Sequence, residues 1–110
     1  MTDARVVFVT VPDEEVGVAL VTTLLEANLV ACGNLLPGVR SLYRWEGKIC
    51  DDAEHLLILK TTSSALDALE STIAERHPYE CPEIIALPVV AGHSAYLDWI
   101  ERNVVISRKS

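Results

Sequence analysis

The order in which strand-like and helix-like segments alternate constrains the fold of this chain most. Residues 5–11 (RVVFVTV) are a short run of mostly β-branched residues, typical of a central strand. Apolar residues at helical spacing follow in 16–27, and a second apolar run spans 29–36. The strand–helix–strand order returns between residues 55 and 90. Two βαβ halves predict one sheet with both helices on the same face.

Residues at the segment ends predict where the helices begin and end. The hydroxyl of Thr10 and the acidic residues 13–15 suit the start of the first helix, and Asn28 suits its C-cap. A serine at 63 or 64 is expected to cap the second helix. Pro78 ends that helix near residue 76 or 77, because proline disfavours helical backbone in the residue before it.

A hairpin is predicted to join the two halves. Residues 39–45 read as a strand, and Glu46-Gly47 is a tight-turn signal. The acidic residues 51–54 are expected to bulge into solvent before a third strand at 55–61. The sequence therefore predicts a long hairpin whose returning strand is interrupted.

The predicted fold is α+β, a ferredoxin-like βαββαβ sandwich with an additional C-terminal helix, in a single domain over residues 1–110. Pro88 places the fourth strand, 84–90, at an edge or at a bend. Ser94 begins the last helix. This fold hosts many unrelated functions, so it does not name one.

Charge and hydrophobic content narrow the range of expected binding partners. The formal net charge is −7 and no basic cluster offsets it, so nucleic acid is not an expected partner. Half of the residues are hydrophobic, a surplus for a small monomer that points to a subunit interface. No signal peptide and no stretch of membrane-spanning length are found, which predicts a cytoplasmic protein without a membrane partner.

Several function classes of this fold lack their motifs here. An RNA reader needs aromatic residues on the central strands, whereas residues 56–59 are aliphatic. A soft-metal chaperone would carry two cysteines after the first strand, where residues 12–15 are Pro-Asp-Glu-Glu. The three cysteines form no Cys-x-x-Cys. A nucleophilic pair of His77 with Cys32 or Cys81 stays open.

The segment 77–83 (HPYECPE) concentrates donor groups in a stiff loop. It holds an imidazole, a thiol, a phenol and two carboxylates between two prolines. His77 suits a metal as a neutral ring, and thiolates of Cys81 or Cys32 suit the soft ion Cu(I). These three residues are the candidate metal ligands.

The chain resembles the CutA family of divalent-cation tolerance proteins over nearly its whole length. The resemblance rests on ordered blocks, namely TxPDE at 10–14, LVACGN at 29–34, SLYRWEGK at 41–48, LKTT at 59–62, HPYExPEI at 77–84 and YLDWI at 96–100. It implies a ferredoxin-like fold and a compact homotrimer in which the long hairpin extends sheets across subunits. It also implies tolerance of copper and other divalent metals, copper binding, and no established enzymatic reaction.

The copper ligands that the resemblance implies are only partly present. His77 is retained, whereas Val9 and Arg76 occupy positions where some members carry a cysteine and a second histidine. Copper is therefore expected to contact His77 with thiolate or carboxylate neighbours such as Cys81.

The alternative is a binding module like the PII signalling proteins, which the family resembles in architecture. An inter-subunit cleft near Trp45, Lys60 and Glu80 would then recognise a small anion or a protein partner. The lone cation of Lys60 would face the anion, or would pair with Glu80 or Glu83.

Overall fold

The computed structural model describes residues 2–106 and confirms the predicted α+β architecture with its terminal helix. Its strands form one antiparallel sheet in the order β2-β3-β1-β4, so β1 is central and β4 is an edge strand, as predicted. The elements, in chain order, are β1 (Ala4–Val11), α1 (Glu14–Glu26), β2 (Cys32–Trp45), β3 (Lys48–Thr62), a 3-10 turn (Ser63–Ala65), α2 (Leu66–Arg76), β4 (Ile84–Pro88) and α3 (Ser94–Asn103).

Helix α1 is capped three residues later than predicted, at Asp13 and not at Thr10. Thr10 still belongs to β1, so the expected cap at Thr10 is wrong. The carboxylate of Asp13 caps the helix instead, with its Oδ1 accepting from the backbone N–H of Val16 at 2.8 Å. An acidic cap also suits the positive end of the helix dipole.

The C-terminal end of α1 explains why β2 starts at Cys32 and not at residue 29. Ala27 is the C-cap, one residue before the predicted cap Asn28, which follows it with a φ of 59°. The N–H of Leu29 then donates to the carbonyl of Leu24, and that of Asn28 to Leu25, both at 3.0 Å. This is a Schellman closure, which uses the backbone of Leu29 to end the helix.

Strand β3 is continuous, so the predicted bulge at residues 51–54 is wrong. Those residues pair with 39–42 of β2. The extra residue lies on β2 instead, where Pro37-Gly38 falls between the Leu36↔Leu56 and Val39↔Glu54 pairs. Proline cannot donate to the ladder and Gly38 has a φ of 75°, so the irregularity falls where β2 tolerates it.

The remaining boundaries differ slightly from expectation. The 3-10 turn precedes α2, and no serine side chain caps α2, because the Ser64 hydroxyl bonds to that of Thr62 at 3.0 Å. Helix α2 ends at Arg76 as predicted. Strand β4 ends at Pro88, short of the predicted residue 90. The hairpin turn is confirmed at Glu46-Gly47, both with positive φ.

The main core lies between one face of the sheet and helices α1 and α2. Alternate residues of the central strands point there and are almost fully buried, including Val7, Val9, Leu57 and Leu59. Gly33 allows α1 to approach closely, since a Cβ at that position would lie 2.8 Å from Cγ1 of Val21.

The opposite face of the sheet is only partly covered. Helix α3 lies against one end of it, where Tyr96 reaches Cys32. The apolar side chains of Leu36, Ile85 and Leu87 remain exposed. An unpaired apolar sheet face of this kind marks an interaction surface.

The outer half of the hairpin has no third strand. Within β3, only residues 55–62 pair with β1, so residues 39–54, here termed the outer ribbon, are two-stranded. Leu42 and Ile49 on it are 64% and 73% exposed. A two-stranded ribbon with exposed large apolar residues is marginally stable alone.

Candidate functional site

His77 fastens the loop after α2 to the central strand. Its side chain is only 7% exposed, and its Nε2 lies 2.7 Å from the carbonyl oxygen of Thr10. Its Nδ1 accepts from the backbone N–H of Tyr79 at 3.1 Å. An Nδ1 that accepts must be unprotonated, so the proton of the neutral ring is on Nε2 and is donated to Thr10. Both ring nitrogens are therefore engaged within the protomer.

This anchored loop forms one wall of a cavity of about 660 Å³, and the outer ribbon forms the other. The lining includes three carboxylates and three aromatic rings, which are those of Glu54, Glu80, Glu83, Tyr43, Trp45 and Tyr79. The volume is in the range of small-molecule pockets, about 300–1,000 Å³.

Glu54 is the buried carboxylate of this cavity. Its side chain is 7% exposed, and the hydroxyl of Tyr79 donates to its Oε2 at 2.7 Å. Burial, and then the hydrogen bond to Glu54, raise the pKa of Tyr79 above its usual value. The sequence interpretation missed Glu54 because it read residues 51–54 as a solvated bulge. A continuous β3 would have placed it on the same face as Leu56.

Polar pairs brace the outer ribbon next to the cavity. The Tyr43 hydroxyl donates to Asp52, and this bond raises the pKa of Tyr43 to about 12. The Arg40 guanidinium forms two bonds with the carboxylate of Asp51, at 2.9 and 2.7 Å, which hold the pKa of Asp51 below its usual value. The cation of Arg40 is thus already neutralised, although Arg40 also lines the cavity.

The structure brings together only some of the predicted site residues. Trp45, Glu80 and Cys81 line the cavity, and the Cys81 side chain is exposed. Lys60 is not among the lining residues and donates to Oδ1 of Asn34. Within one protomer, the expected grouping of Lys60 with Trp45 and Glu80 therefore does not form around this cavity.

Cys32 lies apart from the cavity, beside α3. Its Sγ is 3.6 Å from the hydroxyl of Tyr96, and this contact, followed by burial, raises the pKa of Tyr96. Its register partner on β3 is Lys60. Cys32 is therefore not brought to the loop that holds Cys81.

Metal ligation within one protomer has limited support. Residues 2–106 contain no group of three or more His, Cys, Asp or Glu side chains arranged to hold a metal ion. His77 would have to give up a backbone hydrogen bond to bind one. Of the predicted ligands His77, Cys81 and Cys32, Cys81 is the one that lines the cavity, and a metal site built from them stays a prediction.

Comparison with known proteins identifies the family. The model of the CutA1 divalent ion tolerance protein family matches residues 5–103. This chain belongs to the CutA family. A divalent-cation tolerance protein CutA from Thermus thermophilus is 46% identical over 99 residues, which cover 90% of this chain and 96% of that relative. The resemblance in the sequence blocks is thereby confirmed.

Plant relatives and solved structures agree with this assignment. The chloroplastic protein CutA 1 of rice is 47% identical over 98 residues, and they cover 89% of this chain but only 55% of that longer relative. The crystal structure of CutA1 from Oryza sativa has a TM-score of 0.91 at 45% identity and covers 94% of this chain and 95% of that one. The CutA fold therefore extends over nearly all of the chain.

The CutA relatives differ in their stated locations. The rice protein is named chloroplastic, and a structure from Archaeoglobus fulgidus at 33% identity is titled a periplasmic divalent cation tolerance protein. That structure has a TM-score of 0.89 and covers 93% of this chain and 99% of that one.

In the described part of this chain, no helix has the length and apolar character needed to cross a membrane. The names of the Thermus and Archaeoglobus relatives state divalent cation tolerance and no enzymatic reaction.

Replacing Tyr79 by phenylalanine tests the Glu54 contact. The change leaves the buried carboxylate without its donor, so the free energy of unfolding at pH 7 should fall by about 1–3 kcal/mol. The pKa of Tyr79 is raised above 10.0 in the folded state. The Tyr79 hydroxyl therefore contributes fully to the free energy of unfolding below pH 10, and this contribution is lost at higher pH. The difference between the two proteins should therefore narrow above pH 10.

Urea unfolding of both proteins from pH 7 to pH 11, at equal protomer concentration, measures this effect. Tyr96→Phe is the matched control at pH 7, since among the described residues its hydroxyl makes only the long contact to Cys32. A Tyr79→Phe protein as stable as the parent at pH 7 would show that Glu54 does not depend on Tyr79.

Proposed function

We propose that this chain is a homotrimeric divalent-cation tolerance protein that binds copper or a similar metal ion in the response to metal ions. Membership of the CutA family supports the tolerance role, because relatives at 46% and 41% identity carry that name. The observation that carries the metal part is the exposed thiol of Cys81 in a cavity with three carboxylates. A thiolate suits Cu(I), and carboxylates suit harder divalent ions.

Assembly would complete the metal site. Cys81, Glu80 and Glu83 are consecutive or nearly so along an exposed loop, and they do not converge within one protomer. A neighbouring subunit packed against the outer ribbon would add donors and exclude water. The metal would then lie at a subunit boundary.

The trimer is supported by two surfaces that a lone protomer leaves open. The outer ribbon exposes Leu42 and Ile49, and the sheet face exposes Ile85 and Leu87. Pairing of a ribbon with a neighbouring sheet would satisfy its open edges, which are otherwise a liability for aggregation. The number of three subunits is what the CutA resemblance implies.

A cytoplasmic location stays a prediction, since relatives are named for other compartments.

A PII-like module that recognises a small anion is less well supported than a metal-binding role. The cavity holds three carboxylates, and its lining cation Arg40 is already paired with Asp51. An anion would be repelled there.

Copper titration by calorimetry tests the metal role. Cu(I) under reducing conditions and Cu(II) are each titrated into the protein, Cys81→Ala and the matched control Cys50→Ala. Loss of a direct ligand should weaken Cu(I) binding at least about tenfold in Cys81→Ala, whereas Cys50→Ala should bind as the parent does. Equal affinity and stoichiometry in all three proteins would remove Cys81 from the site.

A further inference from the structure

Glu54 is a buried carboxylate without a positive partner in its own protomer. Its side chain is 7% exposed, and its one hydrogen-bond donor among residues 2–106 is the neutral hydroxyl of Tyr79. The ion pair found in that part of the chain joins Arg40 to Asp51 and does not involve Glu54. A buried carboxylate is costly without a counter-charge, and one phenol offsets only part of that cost. A cation from outside the protomer would remove this deficit.

Lys60 is a cation on the same face of the sheet as Glu54. Residues 54, 56, 58 and 60 of β3 point away from the helices, because the alternate residues Leu57 and Leu59 are buried in the core. Among the paired residues of this open face in the four-stranded part of the sheet, Lys60 is the one basic residue. Its ammonium group donates to Asn34 and meets no carboxylate within residues 2–106. Glu54 and Lys60 are thus opposite charges on one face, each without a counter-charge.

Glu54 and Lys60 of the same chain cannot reach each other. Six positions of one continuous strand separate them, a distance of about 20 Å. The apolar side chains of Leu56 and Ile58 lie between them on the same face. A face with a negative charge at one end and a positive charge at the other is complementary to a second copy of itself in a head-to-tail contact. Head-to-tail contacts of this kind close into rings such as trimers.

We propose that Glu54 of each protomer pairs with Lys60 of a neighbouring copy across the subunit boundary. The ammonium group would enter the cavity between the outer ribbon and the loop 77–83, which Glu54 lines. A wrongly docked copy would leave both charges unpaired, so the pair specifies how the copies pack together. The inference rests on the proposed trimer, and it requires neither a metal ion nor the thiol of Cys81.

A double-mutant cycle on the metal-free assembly tests the pair. Glu54→Gln keeps an acceptor for the Tyr79 hydroxyl, and Lys60→Met keeps a long side chain, so each change chiefly removes a charge. Light scattering during dilution in mild urea, with a chelator present, gives the protomer concentration at which half of the assembly dissociates. Each single change leaves one buried charge unpaired and should raise this concentration at least about tenfold. The double variant should lie within about threefold of the parent, and this recovery would show that the changes do not act by preventing folding.

Two control cycles locate the coupling. Glu70→Gln and Arg76→Met make the same charge changes six positions apart on exposed residues of α2, and they should change the dissociation concentration less than twofold. Glu83→Gln changes an exposed carboxylate of the same cavity. Combined with Lys60→Met, it should give the product of the two single effects, because the proposed partner of Lys60 is Glu54.

Three results would overturn the proposal. Independent effects of Glu54→Gln and Lys60→Met in a parent that forms trimers would exclude the pair and leave the trimer standing. Coupling of Lys60 to Glu83 in place of Glu54 would show that the cation meets the exposed carboxylate. A parent that is monomeric at micromolar concentration would contradict both the pair and the proposed trimer.

Discussion

His77→Ala is expected to lower the free energy of unfolding by about 2–4 kcal/mol, even when the protein is free of metal. The change removes a buried ring and leaves the carbonyl of Thr10 and the N–H of Tyr79 without partners. Each unsatisfied buried group costs about 1–3 kcal/mol, only part of which water can restore. Because His77 joins the loop 77–83 to β1, the loop that forms the cavity wall should also loosen.

The measurement is urea unfolding with a chelator present, at one fixed protomer concentration. His93→Ala is the matched control, because His93 is exposed and its side chain makes no cap bond to α3. That control should change stability by less than about 0.5 kcal/mol. If His77→Ala were as stable as the parent without metal but less stable with copper, His77 would be a ligand and not an anchor.

Charges placed on the outer ribbon are expected to abolish the assembly. Leu42 and Ile49 are 64% and 73% exposed in the protomer, so glutamate at either position would cost the isolated chain little. In a trimer that buries the ribbon, each unpaired charge would cost several kcal/mol. Leu42→Glu combined with Ile49→Glu should therefore convert the proposed trimer to monomers at micromolar concentration.

Light scattering of the variant and its control tests this expectation. Val18→Glu is a suitable control, since Val18 is exposed on α1, away from the ribbon and the open sheet face. The control should keep the mass of the parent assembly. A ribbon variant that also keeps this mass would show that the ribbon is not in the interface.

The strand and helix order was predictable from the sequence because each element carries its own periodicity and end signals. Pro78 ended α2 at Arg76, and Glu46-Gly47 turned the hairpin, as expected. The errors fell where the backbone conformation of one residue decides the outcome. Asn28 has a left-handed backbone, and the N–H of Leu29 closes α1 instead of starting β2. Gly38 also has a positive φ, and the irregularity lies beside it on β2 and not on β3 as predicted.

The site was less predictable because it depends on contacts between distant elements. The sequence identified the loop 77–83 and the cavity residues Trp45, Glu80 and Cys81. It did not show that both nitrogens of His77 bond to backbone, or that Glu54 reaches Tyr79, 25 positions away. Residue type predicts which groups can bind a ligand, whereas the fold decides which of them are free to do so.

Native mass spectrometry of the unmodified chain, with and without copper, tests the proposed trimer and its copper binding together, because one spectrum reports both. We expect a species of three times the protomer mass of 12.1 kDa that gains the mass of bound copper. A species of 12.1 kDa without copper, at micromolar concentration and with copper in excess, would contradict it.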